Sequence, residues 1–265
     1  MSPDTTMQTA EEINRINRRK YEEDYSIEQV SIAPNQPGED YFRKLTRIRL
    51  GLVGEYGRNG RVLDVGCGSG DYLFACKEVI GEGIGIDFSN RTINEALYKR
   101  NKQNVCNINF LVCNAAAIPL ATGTFDLIYS FSALYCMPRI EHVIGEIGRL
   151  LKSTAMAVLE LGNLTSLNTI VSRAYPEWAI PCHIRTGDMK RFIRNAGLKV
   201  VQRRVFQILP LWGDRPHWLW PLLNWRWKRL LQTDVRGKML DERIASLPLL
   251  RNFAFRHIFV CRKQG

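Results

Sequence analysis

A glycine-rich turn at residues 62–73, VLDVGCGSGDYL, is the feature that most constrains how this chain folds. The apolar, β-branched residues before the turn are typical of a buried strand, and the residues after it favour a helix. Gly66, Gly68 and Gly70 carry no Cβ atom, so the backbone can turn sharply and approach a ligand in front of the positive end of a helix. Because similar turns also occur for purely structural reasons, the turn by itself predicts a strand–turn–helix unit and only a candidate binding site.

Short apolar runs alternate with helical stretches along the middle of the chain. Strands are predicted at residues 61–65, 83–87, 108–113, 125–130 and 155–161, and two more at 198–206 and 255–262. Helices are predicted near residues 70–80, 90–103 and 139–152. This alternation predicts an α/β fold with a seven-stranded, mostly parallel, doubly wound sheet.

The predicted organisation has three parts. Residues 1–54 form a helical N-terminal leader or lid, with helix-prone stretches at 6–24 and 41–56 around the loop SIAPNQPGED. A Rossmann-like domain covers 55–265, and a Trp-rich, basic cap at 206–254 is inserted between its last two strands. Tyr21 and Tyr25 in the leader either fold over the binding site or anchor a helix.

The positive charge of the chain lies in its last third. The net charge is +11, and the residues from Ile184 onward carry 18 Lys and Arg against 5 Asp and Glu. Such asymmetry favours an anionic partner: a nucleic acid, an anionic membrane surface or a phosphorylated small molecule.

The composition also indicates the cellular compartment and the state of the cysteines. The seven cysteines form no CxxC pair, residues 1–20 are polar without an apolar segment, and no run of 18 uncharged apolar residues occurs. We therefore expect free thiols, no metal site, no membrane span and a cytoplasmic protein.

An acidic residue follows the glycine turn at an informative distance. Asp87 ends the second predicted strand, 21 residues after Gly66, where a carboxylate can accept hydrogen bonds from both hydroxyls of a ribose, or can cap the next turn. The turn has the spacing GxGxG, with Asp64 two residues before it, and not the GxGxxG of nicotinamide and flavin folds.

The combination VLDVGCGSG followed by GIGIDFS resembles the class I S-adenosylmethionine-dependent methyltransferases. The likeness continues through NFLVCNAAAIPL, TFDLIYSFSALYCM, IEHVIGEIGRLLKSTAMAVLEL and CHIRTGDMKRFIRNAGLKVV, and it covers roughly residues 55–205 and the final strand. The resemblance implies S-adenosyl-L-methionine as the cofactor.

The resemblance also assigns residues to the cofactor. The three glycines would face its methionine part, Asp64 would hold its amino group, Asp87 its ribose and Phe88 its adenine. The other implied contacts are Cys67, Asn114, Ala115, Ser130 and Phe131. Asn114 stands where the family often has Asp, and its amide oxygen still accepts a hydrogen bond.

Three residues are candidates for contacting the methyl acceptor. His183, in a loop before a predicted helix, is the preferred general base, although it could equally be a packing histidine. Tyr135 follows the fourth strand, where many relatives carry a His pair, and Glu160 ends the fifth strand.

The cap contains five of the six tryptophans, at positions 212, 218, 220, 225 and 227. Three interpretations stay open. Residues 209–232 could rest on an anionic membrane, with Arg226, Lys228 and Arg229 near the head groups. They could instead cover an acceptor and stack on its rings, or form an ordinary packed helical subdomain.

The sequence therefore predicts an S-adenosylmethionine-dependent methyltransferase that acts on an oxygen of a small molecule. A glycan-like, lipid-linked or secondary-metabolite acceptor is the first hypothesis. RNA or protein methylation and a non-catalytic cofactor-binding protein are the alternatives. Nucleic acid is disfavoured because no RNA-binding module is recognisable and SFSALY stands where base-modifying relatives place NPPY.

Overall fold

One seven-stranded sheet forms the centre of the molecule in the computed structural model, which describes residues 9–25 and 40–265. Its strands follow the order β3-β2-β1-β4-β5-β9-β6; six of them run in one direction and β9 runs in the opposite direction. The strands are β1 (Arg61–Val65), β2 (Glu82–Asp87), β3 (Ile108–Val112), β4 (Phe125–Ser130), β5 (Leu151–Gly162), β6 (Leu198–Phe206) and β9 (Arg256–Lys263). The predicted seven-stranded, mostly parallel sheet is confirmed.

Helices cover both faces of this sheet. They are α1 (Ala10–Arg19), which continues as a π-helical turn (Lys20–Asp24), α2 (Asp40–Tyr56), α3 (Asp71–Cys76), α4 (Asn90–Lys102), α5 (Ile140–Leu150), α6 (Leu167–Arg173), α7 (Thr186–Asn195), α8 (Trp220–Leu223), α9 (Trp225–Leu231) and α10 (Leu240–Ala245). Short 3₁₀ turns lie at Leu134–Cys136, His217–Leu219 and Leu250–Asn252. Most of the predicted loop SIAPNQPGED and residues 1–8 lie outside the described part of the chain.

Two apolar clusters hold the layers together. On one face, Ile144 and Ile147 of α5 pack with Leu159 of β5. On the other, Leu45 of α2 and Leu73 of α3 pack with residues of the sheet. Because the central strands are buried on both faces, they read as continuous apolar runs, which is why the sequence identified them. The predicted boundary after residue 54 falls inside α2, whose apolar side belongs to the second cluster.

The insertion between β6 and β9 contains α8, α9, α10 and a short hairpin of β7 (Asp234–Val235) and β8 (Lys238–Met239). Its anchor is Asp241, which is fully buried at the start of α10. The Asp241 carboxylate accepts hydrogen bonds from the backbone N–H groups of Gln207 and Ile208 at 2.6 and 3.0 Å and from the Tyr41 hydroxyl at 2.5 Å. This carboxylate ties the insertion to the end of β6 and to α2.

Asp241→Asn is expected to lower the free energy of unfolding by about 2–4 kcal/mol, because an amide N–H then faces buried donors that have lost their acceptor. Thermal and urea unfolding would measure this loss. Asp234→Asn is the matched control, since the ion pair of Asp234 with Lys44 lies at the surface and contributes about 0–1 kcal/mol. Equal stability of the two variants would contradict the anchoring role.

Candidate active site

The glycine turn joins β1 to α3 with three residues in the left-handed region of backbone space. The φ angles are 77° at Gly66, 52° at Gly68 and 80° at Gly70. Added Cβ atoms would also collide with neighbours: one at Gly70 would lie 2.6 Å from the Phe110 ring, and one at Gly66 would overlap Ala133. Glycine is therefore required here for conformation and packing as well as for the approach of a ligand.

A cavity of about 1190 Å³ opens beside this turn. It lies at the carboxyl ends of the parallel strands, where ligands bind in open α/β sheets. Ten of the residues predicted from the sequence line it: Gly66, Cys67, Gly68, Asp87, Phe88, Asn114, Ala115, Phe131, Tyr135 and His183. Four predicted residues are not part of its lining: Asp64, Gly70, Ser130 and Glu160.

Asp87 lies at the end of β2 and faces the glycine turn. One carboxylate oxygen accepts the N–H of Gly68 at 3.0 Å and the other accepts the N–H of Ser89 at 3.0 Å. Burial raises the pKa of Asp87, and these backbone donors oppose that shift. The carboxylate is thus held in a fixed orientation at the cavity wall, with further lone pairs available for hydroxyl donors.

Asp64 is a buried acid with an unsatisfied atom. It is 2% exposed in β1, and its Oδ2 has no hydrogen-bond partner of ordinary geometry in the described part of the chain. Burial raises the pKa of Asp64 well above its ordinary value, and the neighbouring Tyr129 hydroxyl only partly opposes this. A buried acceptor of this kind is costly unless a donor reaches it.

Aromatic residues from the N-terminal segment border the same part of the cavity. The ring of Tyr21 lies 5.6 Å from that of Phe88 and 5.0 Å from that of Tyr25, measured between centroids. Asn114 also lines the cavity, but its Oδ1 already accepts the backbone N–H of Ala116 at 2.9 Å.

Helix α1 is fastened across the cavity by one buried amide. Asn17 donates from Nδ2 to the carbonyls of Cys136 and Ile180 at 2.9 and 3.1 Å, and its Oδ1 accepts the N–H of Ile180 at 2.7 Å. After the π turn, the Glu22 carboxylate accepts the N–H of Asn90 at 2.6 Å at the start of α4. The N-terminal segment thus bridges both sides of the cavity.

Ser130 and Glu160, which were predicted to contact the cofactor and the acceptor, do not line the cavity. Ser130 is buried beneath the cavity, and its Oγ donates to the carbonyl of Val65 at 2.7 Å, so the hydroxyl joins β4 to β1. Glu160 is fully buried and forms ion pairs with Arg49 and Arg256. Burial raises the pKa of Glu160, but the two guanidinium groups hold it below its ordinary value, so Glu160 is an ionised partner of arginines and not a proton acceptor for a substrate.

These two arginines were missed by the sequence analysis, although both line the cavity. Arg49 comes from α2 and donates to Glu160, to the Tyr72 hydroxyl at 2.8 Å and to Ser132 Oγ at 3.0 Å. Arg256 begins β9 and donates to Glu160 and, through Nε, to Gln207 at 2.7 Å. The one available signal was an arginine inside the apolar run FAFRHIFVC, which reads as a buried strand.

His183 and Tyr135 line the part of the cavity nearest Arg256. His183 Nδ1 lies 2.8 Å from Thr169 Oγ1, and the His183 ring centroid lies 6.1 Å from that of Tyr135. Burial, followed by the charges of Arg256 and Arg173, lowers the pKa of His183 to about 4. Trp178 and Trp212 stack at 5.0 Å between centroids and complete this wall.

Among residues 9–25 and 40–265, no group of three or more His, Cys, Asp or Glu side chains is placed to hold a metal ion. Within the same residues, no helix is long and apolar enough to cross a membrane.

Comparison with known proteins identifies the family. A family model described as a methyltransferase domain matches residues 57–202, which is more than half of the chain. The chain belongs to the class I S-adenosylmethionine-dependent methyltransferases. The resemblance seen in the glycine turn and the strands after it is confirmed.

Two relatives illustrate the breadth of this methyltransferase family. A demethylmenaquinone methyltransferase of Lactococcus lactis is 36% identical over 117 residues, covering 43% of this chain and 44% of the relative. An O-methyltransferase named rstn1 from Aspergillus nomiae is 26% identical over 151 residues, covering 55% of this chain and 67% of the relative. The chain thus spans less than half the length of the first of these relatives.

Among solved structures, the geranyl diphosphate C-methyltransferase of Streptomyces coelicolor superposes with a TM-score of 0.62 at 13% identity, covering 96% of this chain and 98% of that one. At this identity the likeness shows the fold alone. The sheet of this methyltransferase is therefore that of its family.

The residues present fit S-adenosylmethionine. Gly66 and Gly68 line the cavity and would receive its methionine part, and Asp87 would receive its ribose. Asp64 does not line the cavity and precedes this turn in β1. Phe88 and Tyr21 would border the adenine of the cofactor. When bound, the cofactor supplies a methyl group already activated by the positive charge on sulfur.

Asp87→Ala is expected to weaken binding of S-adenosylhomocysteine by at least about 100-fold, because two charge-assisted hydrogen bonds to the ribose are lost. Gly68→Val should abolish binding, since a β-branched residue cannot adopt its left-handed conformation without strain. Isothermal titration calorimetry measures both effects. Asp188→Ala on α7, outside the cavity, is the control, and wild-type affinity in Asp87→Ala would refute the assignment.

Proposed function

We propose that this methyltransferase transfers the methyl group of S-adenosylmethionine to an oxygen atom of a small-molecule acceptor, with His183 as the general base. A glycan-like, lipid-linked or secondary-metabolite acceptor remains the first hypothesis. The observation that supports this proposal best is the position of the His183 imidazole on the cavity wall beside Tyr135.

We propose that Thr169 selects the tautomer of His183. Thr169 Oγ1 lies 3.0 Å from the carbonyl of Asn163 and 2.8 Å from His183 Nδ1; with its hydrogen donated to that carbonyl, the contact with His183 takes Nδ1–H as the donor. Nε2 is then unprotonated, and it has no hydrogen-bond partner in the described part of the chain. Because the pKa of His183 is about 4, this proton-accepting form dominates at neutral pH.

The cavity walls favour a small ring-bearing acceptor. The stacked pair Trp178 and Trp212 offers an apolar surface near His183. The named activities of the relatives from Lactococcus lactis and Aspergillus nomiae agree with a small-molecule acceptor, since they are a demethylmenaquinone methyltransferase and an O-methyltransferase. The N-terminal segment, held by Asn17, is proposed to act as a lid that excludes water from methyl transfer.

His183→Gln is expected to lower kcat by about 10²–10⁴ while leaving S-adenosylhomocysteine binding unchanged, because only proton transfer is lost. Turnover is measured with labelled S-adenosylmethionine and a fractionated small-molecule extract. In the wild-type enzyme, kcat/KM should show no inflection near pH 6.5 and should fall only as the pH approaches 4, where His183 gains a proton.

Thr169→Val is the matched test of tautomer selection and should give a smaller loss in kcat. Label that appears only on RNA or polypeptide would favour the alternative substrates. Cofactor binding without any turnover would favour a non-catalytic protein.

We also propose that the insertion brings the enzyme to an anionic membrane surface as a peripheral protein. Trp218, Trp220 and Trp225 are 70%, 66% and 63% exposed, and Arg226 and Arg229 beside them are also exposed. Tryptophan with arginine suits a boundary that is apolar on one side and wet on the other. Lys228 of α9 lies 5.1 Å from the ring of cavity-lining Phe42, so this segment adjoins the cavity wall.

Vesicles containing phosphatidylglycerol should bind the protein and shift its tryptophan emission to shorter wavelength, whereas pure phosphatidylcholine vesicles should not. Replacing Trp218, Trp220 and Trp225 together by serine should weaken binding at least about tenfold, because their apolar burial is lost. Tyr98→Ser with Val201→Ser, which removes exposed apolar side chains elsewhere, is the control. Equal binding by both multiple variants would refute the membrane surface and support a packed subdomain.

A further inference from the structure

Three hydrogen-bond donors around Arg256 lack acceptors within the described part of the chain. Arg256 Nη2 makes no hydrogen bond there, whereas Nε and Nη1 are engaged. Arg256 Nη1, which donates to Glu160, also lies 3.3 Å from Ser132 Oγ and 3.5 Å from Tyr135 Oη, and in the described part of the chain neither hydroxyl donates to an acceptor. Arg256, Ser132 and Tyr135 are called the donor cluster below, and all three line the cavity.

The residues of the donor cluster are held in place by burial, by ring packing and by backbone conformation. Arg256 is only 8% exposed, and its guanidinium carbon lies 5.5 and 5.4 Å from the ring centroids of Tyr135 and Phe255. Ser132 adopts a left-handed backbone conformation, with φ of 56°, and so presents its Oγ to both Arg49 and Arg256. A non-glycine residue in that conformation persists only where its surroundings fix it.

Within the ion-pair network of Glu160, the buried charges do not cancel. Arg49 and Arg256 carry two positive charges against the one negative charge of Glu160. The two carboxylates that line the cavity are engaged elsewhere, Asp71 with Lys99 and Asp87 with backbone N–H groups. A buried positive charge without a counter-charge is unfavourable, and a neutral ligand would not correct it.

We propose that the donor cluster binds an anionic oxygen group, a carboxylate or a phosphate, carried by the methyl acceptor. This inference rests on the proposed function, because it assigns the cluster to the acceptor. The anion would receive Arg256 Nη2 and the two hydroxyl donors, and it would position the acceptor's hydroxyl near His183.

The carboxylate of the cofactor itself is the competing occupant. Three observations favour the acceptor. Arg256 lies on β9, which β4 and β5 separate from the glycine turn after β1. Its charge acts on His183, whose pKa it helps to lower. Its guanidinium packs on Phe255 and Tyr135, which share the wall with His183.

The test uses small probes on the enzyme saturated with S-adenosylhomocysteine. Calorimetry at pH 7 compares benzoate, phenyl phosphate and neutral benzamide, which share one ring and differ in charge. At least one anion should bind more tightly than benzamide, and the comparison of benzoate with phenyl phosphate distinguishes a carboxylate from a phosphate group.

Arg256→Gln should weaken binding of the preferred anion roughly 10- to 100-fold and leave benzamide binding unchanged, because a charge-assisted hydrogen bond is lost. Arg256→Lys should retain part of the affinity. Ser132→Ala and Tyr135→Phe, which each remove one neutral donor, should cost roughly threefold to tenfold. Arg15→Gln is the matched control, since Arg15 lines the same cavity but is exposed.

The outcomes of these experiments distinguish a failure of the anion site from a failure of the proposed function. Equal affinity for anions and benzamide, no anion binding, or equal losses in Arg15→Gln and Arg256→Gln would overturn the anion site. Loss of S-adenosylhomocysteine binding in Arg256→Gln would assign the cluster to the cofactor and also overturn it. Failure of the wild-type enzyme to bind S-adenosylhomocysteine would instead refute the proposed function.

Discussion

The ion pairs of Glu160 with Arg49 and Arg256 are the interaction on which the arrangement of the cavity depends. They join α2, β5 and β9, three elements far apart in the chain, directly beneath the cavity. Removing Glu160 from this buried network would leave two uncompensated positive charges and is expected to be strongly destabilising. The network therefore fixes the position of α2 relative to β9.

Electrostatics divide the cavity into two halves. Asp64 and Asp87 place acidic groups around the glycine turn, where we propose that the methionine part and the ribose of the cofactor bind. On the other side, Arg256 and Tyr135 place hydrogen-bond donors, and His183 is the proposed base. A sulfonium and an acceptor would thus each meet groups of complementary character, and their reacting atoms would be held between the two halves.

The strands and most of the cavity lining beside the glycine turn could be predicted from local sequence. The strands at 61–65, 125–130 and 198–206 have the predicted bounds, because buried parallel strands and glycine turns leave short-range signals. The acceptor half could not be predicted in this way. Glu160 was predicted as a contact of the acceptor, but it pairs with Arg49 and Arg256, which are 111 and 96 residues away. Ser130 was predicted as a contact of the cofactor, whereas its hydroxyl donates to Val65, a bond that depends on which strands are neighbours.

The position of β9 between β5 and β6 has a consequence for biosynthesis on the ribosome. Strand β6 touches the rest of the sheet through β9 alone, and β9 also delivers Arg256 to Glu160. Until residue 263 has left the exit tunnel, the growing polypeptide exposes the edge of β5 and leaves Glu160 short of one arginine. An exposed, unpaired edge can pair with other chains, so the nascent methyltransferase is vulnerable to aggregation until β9 emerges.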